Sequence, residues 1–282
     1  MFAALGWFLI AAVLNPVIFV LFEAAATEEQ FLFNVSTFNI PYADIQLLGM
    51  AVMMIFGVSL QILSANFGLK QPSRRWRNTL LYGLNTALLV SVVTFIISMI
   101  TEQRIWMGLY QLAVLFLLII AIGNLRQFGI FKPAKSEQRN RGLKFIRAAY
   151  IWFFVAMVML FMNPVYTFGI YMPSVDDAIP FSHAYFGAYR HALTVGFILM
   201  MIVGVSLRFV PQFRGVDLQK TRPLILSFVL LNAGNISRVS TEITTDFVPA
   251  AYSVMGISGF IEVVGLILWA VELIRNIFFD RR

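Results

Sequence analysis

The chain is written as long apolar stretches separated by short polar ones. Each stretch runs for about the 20 residues that a helix needs to cross the hydrocarbon of a bilayer. They fall at residues 2–22, 45–65, 79–100, 105–125, 148–171, 191–207, 223–238 and 247–271. The sixth and seventh are short when only uncharged residues are counted, so their helices are expected to extend into residues 185–190 and 239–244. Apolar and polar residues do not alternate along these stretches as they would on barrel strands, and lipid offers no partner for a free backbone group, so helices are predicted throughout. Residues 2–22 lack the basic flank and small-residue cleavage site of a signal peptide and are read as a mature span.

Composition agrees with lipid as the main solvent. Of 282 residues, 60% are hydrophobic and 12% charged, too apolar a mixture to keep a water-facing surface solvated. The absence of cysteine excludes disulfides, thiolate metal sites, iron–sulfur clusters and c-type haem attachment. Net charge is +7, and its placement explains it better than nucleic acid does. All but three of the 21 Lys and Arg fall in alternate segments: residues 70–77, 126–147, 208–222 and 275–282. The opposite segments carry Glu23, Glu28, Glu29, Asp44, Glu102, Asp176, Asp177, Glu242 and Asp246, against Arg104, Arg190 and Arg238. Basic residues are retained on the cytoplasmic side, which puts the N-terminus outside and the C-terminus in the cytoplasm and requires an even number of spans.

The two halves repeat. Residues 49–60, GMAVMMIFGVSL, align without gaps with residues 196–207, GFILMMIVGVSL. The offset from Gly49 to Gly196 also carries Gly68 onto Gly215, Arg75 onto Arg222, Leu84 onto Leu231 and Asn85 onto Asn232, and Asn15-Pro16 meets Asn163-Pro164 with a slip of one. The predicted fold is therefore an all-α membrane protein of eight transmembrane helices, arranged as two parallel four-helix repeats: residues 1–126, a basic cytoplasmic linker at 127–147, and residues 148–282. Gly57 and Gly204 are expected to let helices approach closely, and the paired methionines to fill gaps between them.

Few residues could carry chemistry. The two histidines, His183 and His191, both lie at the outer end of the sixth span, and His191 stands where the first repeat has Asp44. At headgroup depth a histidine needs no function; a neutral imidazole there is also a ligand for haem iron or copper. Eight residues of helix separate two rings by roughly 12 Å. One helix cannot then supply both axial ligands: a bis-histidine site needs His183 on a loop folding back, which Pro180 permits, and otherwise the metal has one histidine with a ligand of another type, an open position or a ligand from another subunit. Arg190 could pair with a haem propionate, Asp44 or a lipid phosphate. Glu262 interrupts the last span; its plain role is structural, paired with Arg238 or hydrogen-bonded to Asn232, and its sharper one a proton relay or quinone site. Asn85 and Asn232 are read as helix–helix hydrogen-bonding residues. No phosphate-binding loop, metalloprotease helix or nucleophile elbow is present.

The run RHALTVGF from Arg190, MMIVGVSLR from Met200 and LLNAGNISRV from Leu230 to Val239 resembles the NnrS family of membrane proteins. That family is associated with haem, copper and the bacterial response to nitric oxide. The resemblance implies a bacterial inner-membrane protein, names His191 as the metal ligand to look for, and makes haem b or copper the expected cofactor. Family members have about twelve spans and several histidines; this chain has eight predicted spans, like two of three haem-copper-oxidase-like arcs, with Asp44 where a first-half histidine would stand. Two functions follow as expectations. One is electron transfer with the quinone pool or handling of a diatomic gas. The other is a non-catalytic subunit of a respiratory complex that has lost its metals, working with other subunits or as a homo-oligomer. Transport would require more polar residues facing the interior. The charge pattern predicts that a fluorescent protein fused to the C-terminus fluoresces and a periplasmic phosphatase fused there is inactive; active phosphatase would reverse the topology.

Overall fold

In the computed structural model the described residues are 1–133, 142–175, 181–218 and 221–278. Among them the chain is helical. Seven helices are long and apolar enough to cross a membrane: α1 (Phe2–Glu23), α2 (Glu28–Phe67), α3 (Arg74–Thr101), α4 (Arg104–Gln127), α5 (Leu143–Ser174), α6 (His183–Phe213) and α8 (Ala251–Phe278). Between the last two lies α7 (Ile225–Thr244), 20 residues long, which does not meet the same standard of apolarity. It occupies the predicted span 223–238 and extends to residue 244, so Arg238 and Glu242 lie within the helix. The protein is thus multi-pass, and its outward faces are apolar: Leu9, Phe19, Ile119, Phe260 and Ile267 are all exposed, as suits a lipid surround.

Two helices begin furthest ahead of their apolar stretches. α2 starts at Glu28, where the Thr27 side chain accepts a hydrogen bond from the Gln30 backbone at 3.2 Å and the Gln30 side chain accepts one from Ala26 N–H at 3.0 Å. This box, with Glu28 and Glu29 in the first turn, starts a helix that hydropathy alone overlooks. α6 starts at His183, capped by the Ser182 hydroxyl, which accepts from Tyr185 N–H at 2.9 Å. Its wide π-helical stretch, Ala192–Leu199, follows directly after His191; α2 has its own at Val35–Asn39 and Ile45–Val52, on either side of Pro41. Proline cannot donate to the preceding turn, and widened turns are one way a helix absorbs that loss.

Contacts divide the chain into two compact units, one of residues 1–64 and 70–128, the other of residues 65–69 and 129–282. In the first, Trp7 Nε1 donates to Asn85 Oδ1 at 2.8 Å, and the Trp7 ring lies against Gly49. In the second, Trp152 Nε1 donates to Asn232 Oδ1 at 3.1 Å, and the Trp152 ring lies against Gly196. Asn85 and Asn232 each donate in turn to a carbonyl of their own helix, that of Leu81 and of Phe228. Each asparagine thereby joins two helices, and each glycine admits an indole that no Cβ would leave room for. Residues 134–141 and 176–180, with Asp176, Asp177 and Pro180 among them, and the basic residues Lys220, Arg281 and Arg282 lie outside the described residues.

Gly142 opens α5 at φ +78°, where an added Cβ would overlap the Gly204 carbonyl oxygen. Alanine there meets both a left-handed backbone and a steric overlap. Gly142→Ala is expected to lower stability by about 2–4 kcal/mol, read by unfolding in detergent; an unchanged midpoint would show that α5 and α6 do not close at this point.

Candidate functional site

The second unit gathers its polar side chains where α6, α7 and α8 meet. His191 stands at the entrance to the π-helical stretch of α6, and Glu262 projects from the apolar middle of α8. His191 Nε2 lies 3.1 Å from Glu262 Oε1 and 3.3 Å from Oε2. The histidine side chain is 22% exposed and the carboxylate 9%. With Glu262 ionised, the imidazole carries its proton on Nε2 and donates it to the carboxylate.

Small residues on α7 and α6 make this approach possible. A Cβ on Gly234 would lie 2.5 Å from Glu262 Cγ, so glycine is what lets α8 carry its carboxylate against α7. A Cβ on Gly196 would lie 2.5 Å from the Trp152 ring and 2.7 Å from Asn235 Nδ2. Asn235, wholly buried, therefore sits against α6 about one π turn from His191, beside the glycine that admits Glu262.

The other residues singled out from sequence go elsewhere. Glu262 pairs with His191, while Arg238 Nε donates to Glu242 Oε2 at 3.3 Å, whose carboxylate lies over the backbone at Gly187. Asn232 bonds to Trp152. His183 is the first residue of α6, so a helix and not a folded-back loop separates it from His191. One metal cannot take both rings in this arrangement. His183 lies instead within electrostatic reach of Arg190 and Asp246. Asp246 Oδ2 accepts hydrogen bonds from Tyr166 and from Ser182, each at 2.5 Å. Tyr166 stacks on Tyr185 at 4.3 Å between ring centres. Asp44 is buried in the first unit, within electrostatic reach of Tyr110.

Sequence reasoning missed Asn235, Gly234, Glu242 and Gly187. The repeat held a signal for two of them: at its offset Asn235 faces Leu88 and Glu242 faces Phe95, polar for apolar.

The donor set of the central pair can be tested against the metals that the family resemblance implies. A haem iron would bind Nε2, which here already faces the carboxylate, so this arrangement does not suit an axial histidine. An imidazole nitrogen and carboxylate oxygens just over 3 Å apart do suit neighbouring positions on one non-haem ion with bonds of about 2 Å, and nitrogen with oxygen donors is copper(II) chemistry. Among the described residues no three of His, Cys, Asp and Glu come together.

Removing either partner leaves the other, a half-buried imidazole or a buried carboxylate, without an answer. Glu262→Leu is expected to cost about 1–3 kcal/mol, and His191→Leu combined with it less than the two single changes added together. Strict additivity of the unfolding free energies would show that the two side chains do not interact.

No curated protein and no solved structure matches the chain. A family model described as NnrS protein matches residues 2–282, well beyond the segment from Arg190 to Val239 that carried the resemblance. The chain belongs to the NnrS family.

Proposed function

We propose that this protein is an integral membrane metalloprotein in which His191 and Glu262 hold a redox-active ion, serving electron transfer with the quinone pool or the handling of a diatomic gas such as nitric oxide. The contact of His191 Nε2 with both Glu262 oxygens inside the helical body carries this reading. Ionisable groups within the membrane are costly and mark function by default, and NnrS membership supplies the expectation of haem or copper. Of the two, the pair's donor chemistry favours copper over haem b. Copper bound there would supply one-electron chemistry with positions open to a small ligand. The protein's part is then to position: Gly234 brings Glu262 close, the π-helical stretch follows His191, and Trp152 and Asn232 fix α5 against α7.

The same proposal places the chain in the bacterial inner membrane as eight spans, with α7 as the seventh. Glycine and buried polar residues on α7 suit a helix shielded by α6 and α8. The two Trp–Gly–Asn arrangements support a pair of parallel four-helix units, and the charge pattern an outer N-terminus and a cytoplasmic C-terminus. Quinone and further subunits, or a second copy, are the partners this reading names.

One observation favours the second reading, a membrane subunit that has lost its metals: the central pair offers two donors, and no third histidine or carboxylate joins it among the described residues. Metal analysis, the visible spectrum and the pyridine haemochrome of the detergent-purified chain separate the two readings. One equivalent of copper, lost in both His191→Ala and Glu262→Gln, is the expected result. Haem that survives both changes would move the cofactor elsewhere, and a folded parent with neither metal would leave the subunit reading.

A further inference from the structure

Five basic side chains stand at one end of the helices of the first unit. Lys70 precedes α3, Arg74, Arg75 and Arg77 lie in its opening turns, and Arg126 lies in the last turn of α4. Among the described residues none of these side chains has a hydrogen bond or an ion pair. Nor do α3 and α4 bring an acid to them: residues 45–101 and 103–136 contain no Asp or Glu, and Glu102 closes the far end of α3.

The second unit treats the matching position differently. Arg222, which the repeat offset carries onto Arg75, sits beside Glu272. That buried carboxylate accepts from the Arg222 backbone N–H at 2.8 Å and lies 3.8 Å from Arg222 Nε and 3.7 Å from Arg275 Nη1. At the same offset from Glu272 the first unit has Leu125. One copy of the repeat thus carries its own counterion, while the other gathers cations that only an external anion can answer.

These cations are held on a defined frame. The Ser73 hydroxyl accepts from Trp76 N–H at 3.2 Å, and Trp76 Nε1 donates to Asn124 Oδ1 at 3.1 Å, with the indole against Gly123. Lys70 N–H donates to the Phe128 carbonyl at 3.0 Å. The start of α3 is therefore tied to the end of α4 on both sides of Arg126. Beyond the charges the surface turns apolar. Leu81 and Tyr82, two turns on from Arg74 and Arg75, are exposed, as are Ile119 and Ile122 near the end of α4. A soluble anion would use the charge alone. A molecule with a phosphate head and acyl chains meets both surfaces in the order in which it carries them, and the planar fork of arginine matches two phosphate oxygens.

We propose that Lys70, Arg74, Arg75, Arg77 and Arg126 form a binding site for an anionic phospholipid, its phosphodiester held by the guanidinium groups and its acyl chains lying along α3 and α4. The site is separate from the His191–Glu262 pair, and neither proposal depends on the other.

The full-length protein in mild detergent is titrated with phosphatidylglycerol and with phosphatidylcholine, and bound lipid is counted by native mass spectrometry with the melting midpoint recorded. The parent is expected to bind phosphatidylglycerol saturably and in preference to phosphatidylcholine. Changing Arg74, Arg75 and Arg77 together to Gln should weaken phosphatidylglycerol binding by about tenfold. Changing the same three to Lys keeps the charge without the fork and should fall between. Changing Lys132, Arg214 and Arg222 together to Gln removes as much charge from the second unit and should leave binding as in the parent. A parent without preference, or equal losses from the two glutamine triples, overturns the proposal. Displacement of the lipid by millimolar inorganic phosphate would also overturn it, in favour of a soluble phosphate.

Discussion

A carboxylate removed from water must be answered by a partner, and the arrangement of the second unit follows from how Glu262 is answered. Hydrocarbon gives it nothing, and a long polar side chain in the middle of α8 cannot reach the membrane surface from there. His191 answers it, and the geometry of three helices is set by that contact: α6 offers the imidazole where its helix widens, α7 offers glycine at 234, and α8 brings the carboxylate in. The polarity of α7 is then intelligible. A helix bearing Asn232, Asn235, Arg238 and Glu242 is a poor surface for lipid and a good one for neighbouring helices that carry polar groups of their own.

Much of the architecture was legible in the sequence because in lipid the rules are few. Backbone groups must be satisfied within each span, so apolar length marks a helix, and seven of the eight predicted stretches correspond to helices long and apolar enough to cross. The remaining stretch, residues 223–238, coincides with the helix α7, which is more polar than the other seven. Helix starts were unevenly legible. The box at Thr27 extends α2 well outside its apolar stretch, while α6, expected to reach back to residue 185, is capped at Ser182 and so carries His183 on the same helix as His191. With that, the folded-back loop a bis-histidine site needs is absent from the described residues, and the His191 ring meets Glu262.

The site itself was half legible. Sequence singled out His191 and Glu262 separately, one by type and one by position, but their 71-residue separation hides the pairing. Asn235 was passed over because its neighbour Asn232 drew attention through the repeat. The more useful reading of a repeat lies in where the copies differ. Both units keep a tryptophan, a glycine and an asparagine in the same relation, a structural fastening. The second unit alone has His191 for Asp44, Asn235 for Leu88 and Glu262 for Leu115, and the functional reading rests on the first and the third of these.

The account depends most directly on one histidine and one carboxylate sharing an ion. Pulsed electron paramagnetic resonance of the copper-loaded protein, carrying nitrogen-labelled histidine, counts the imidazoles at the metal. The account predicts a single imidazole, lost in His191→Ala and retained in His183→Ala. Two imidazoles, or none, would contradict it.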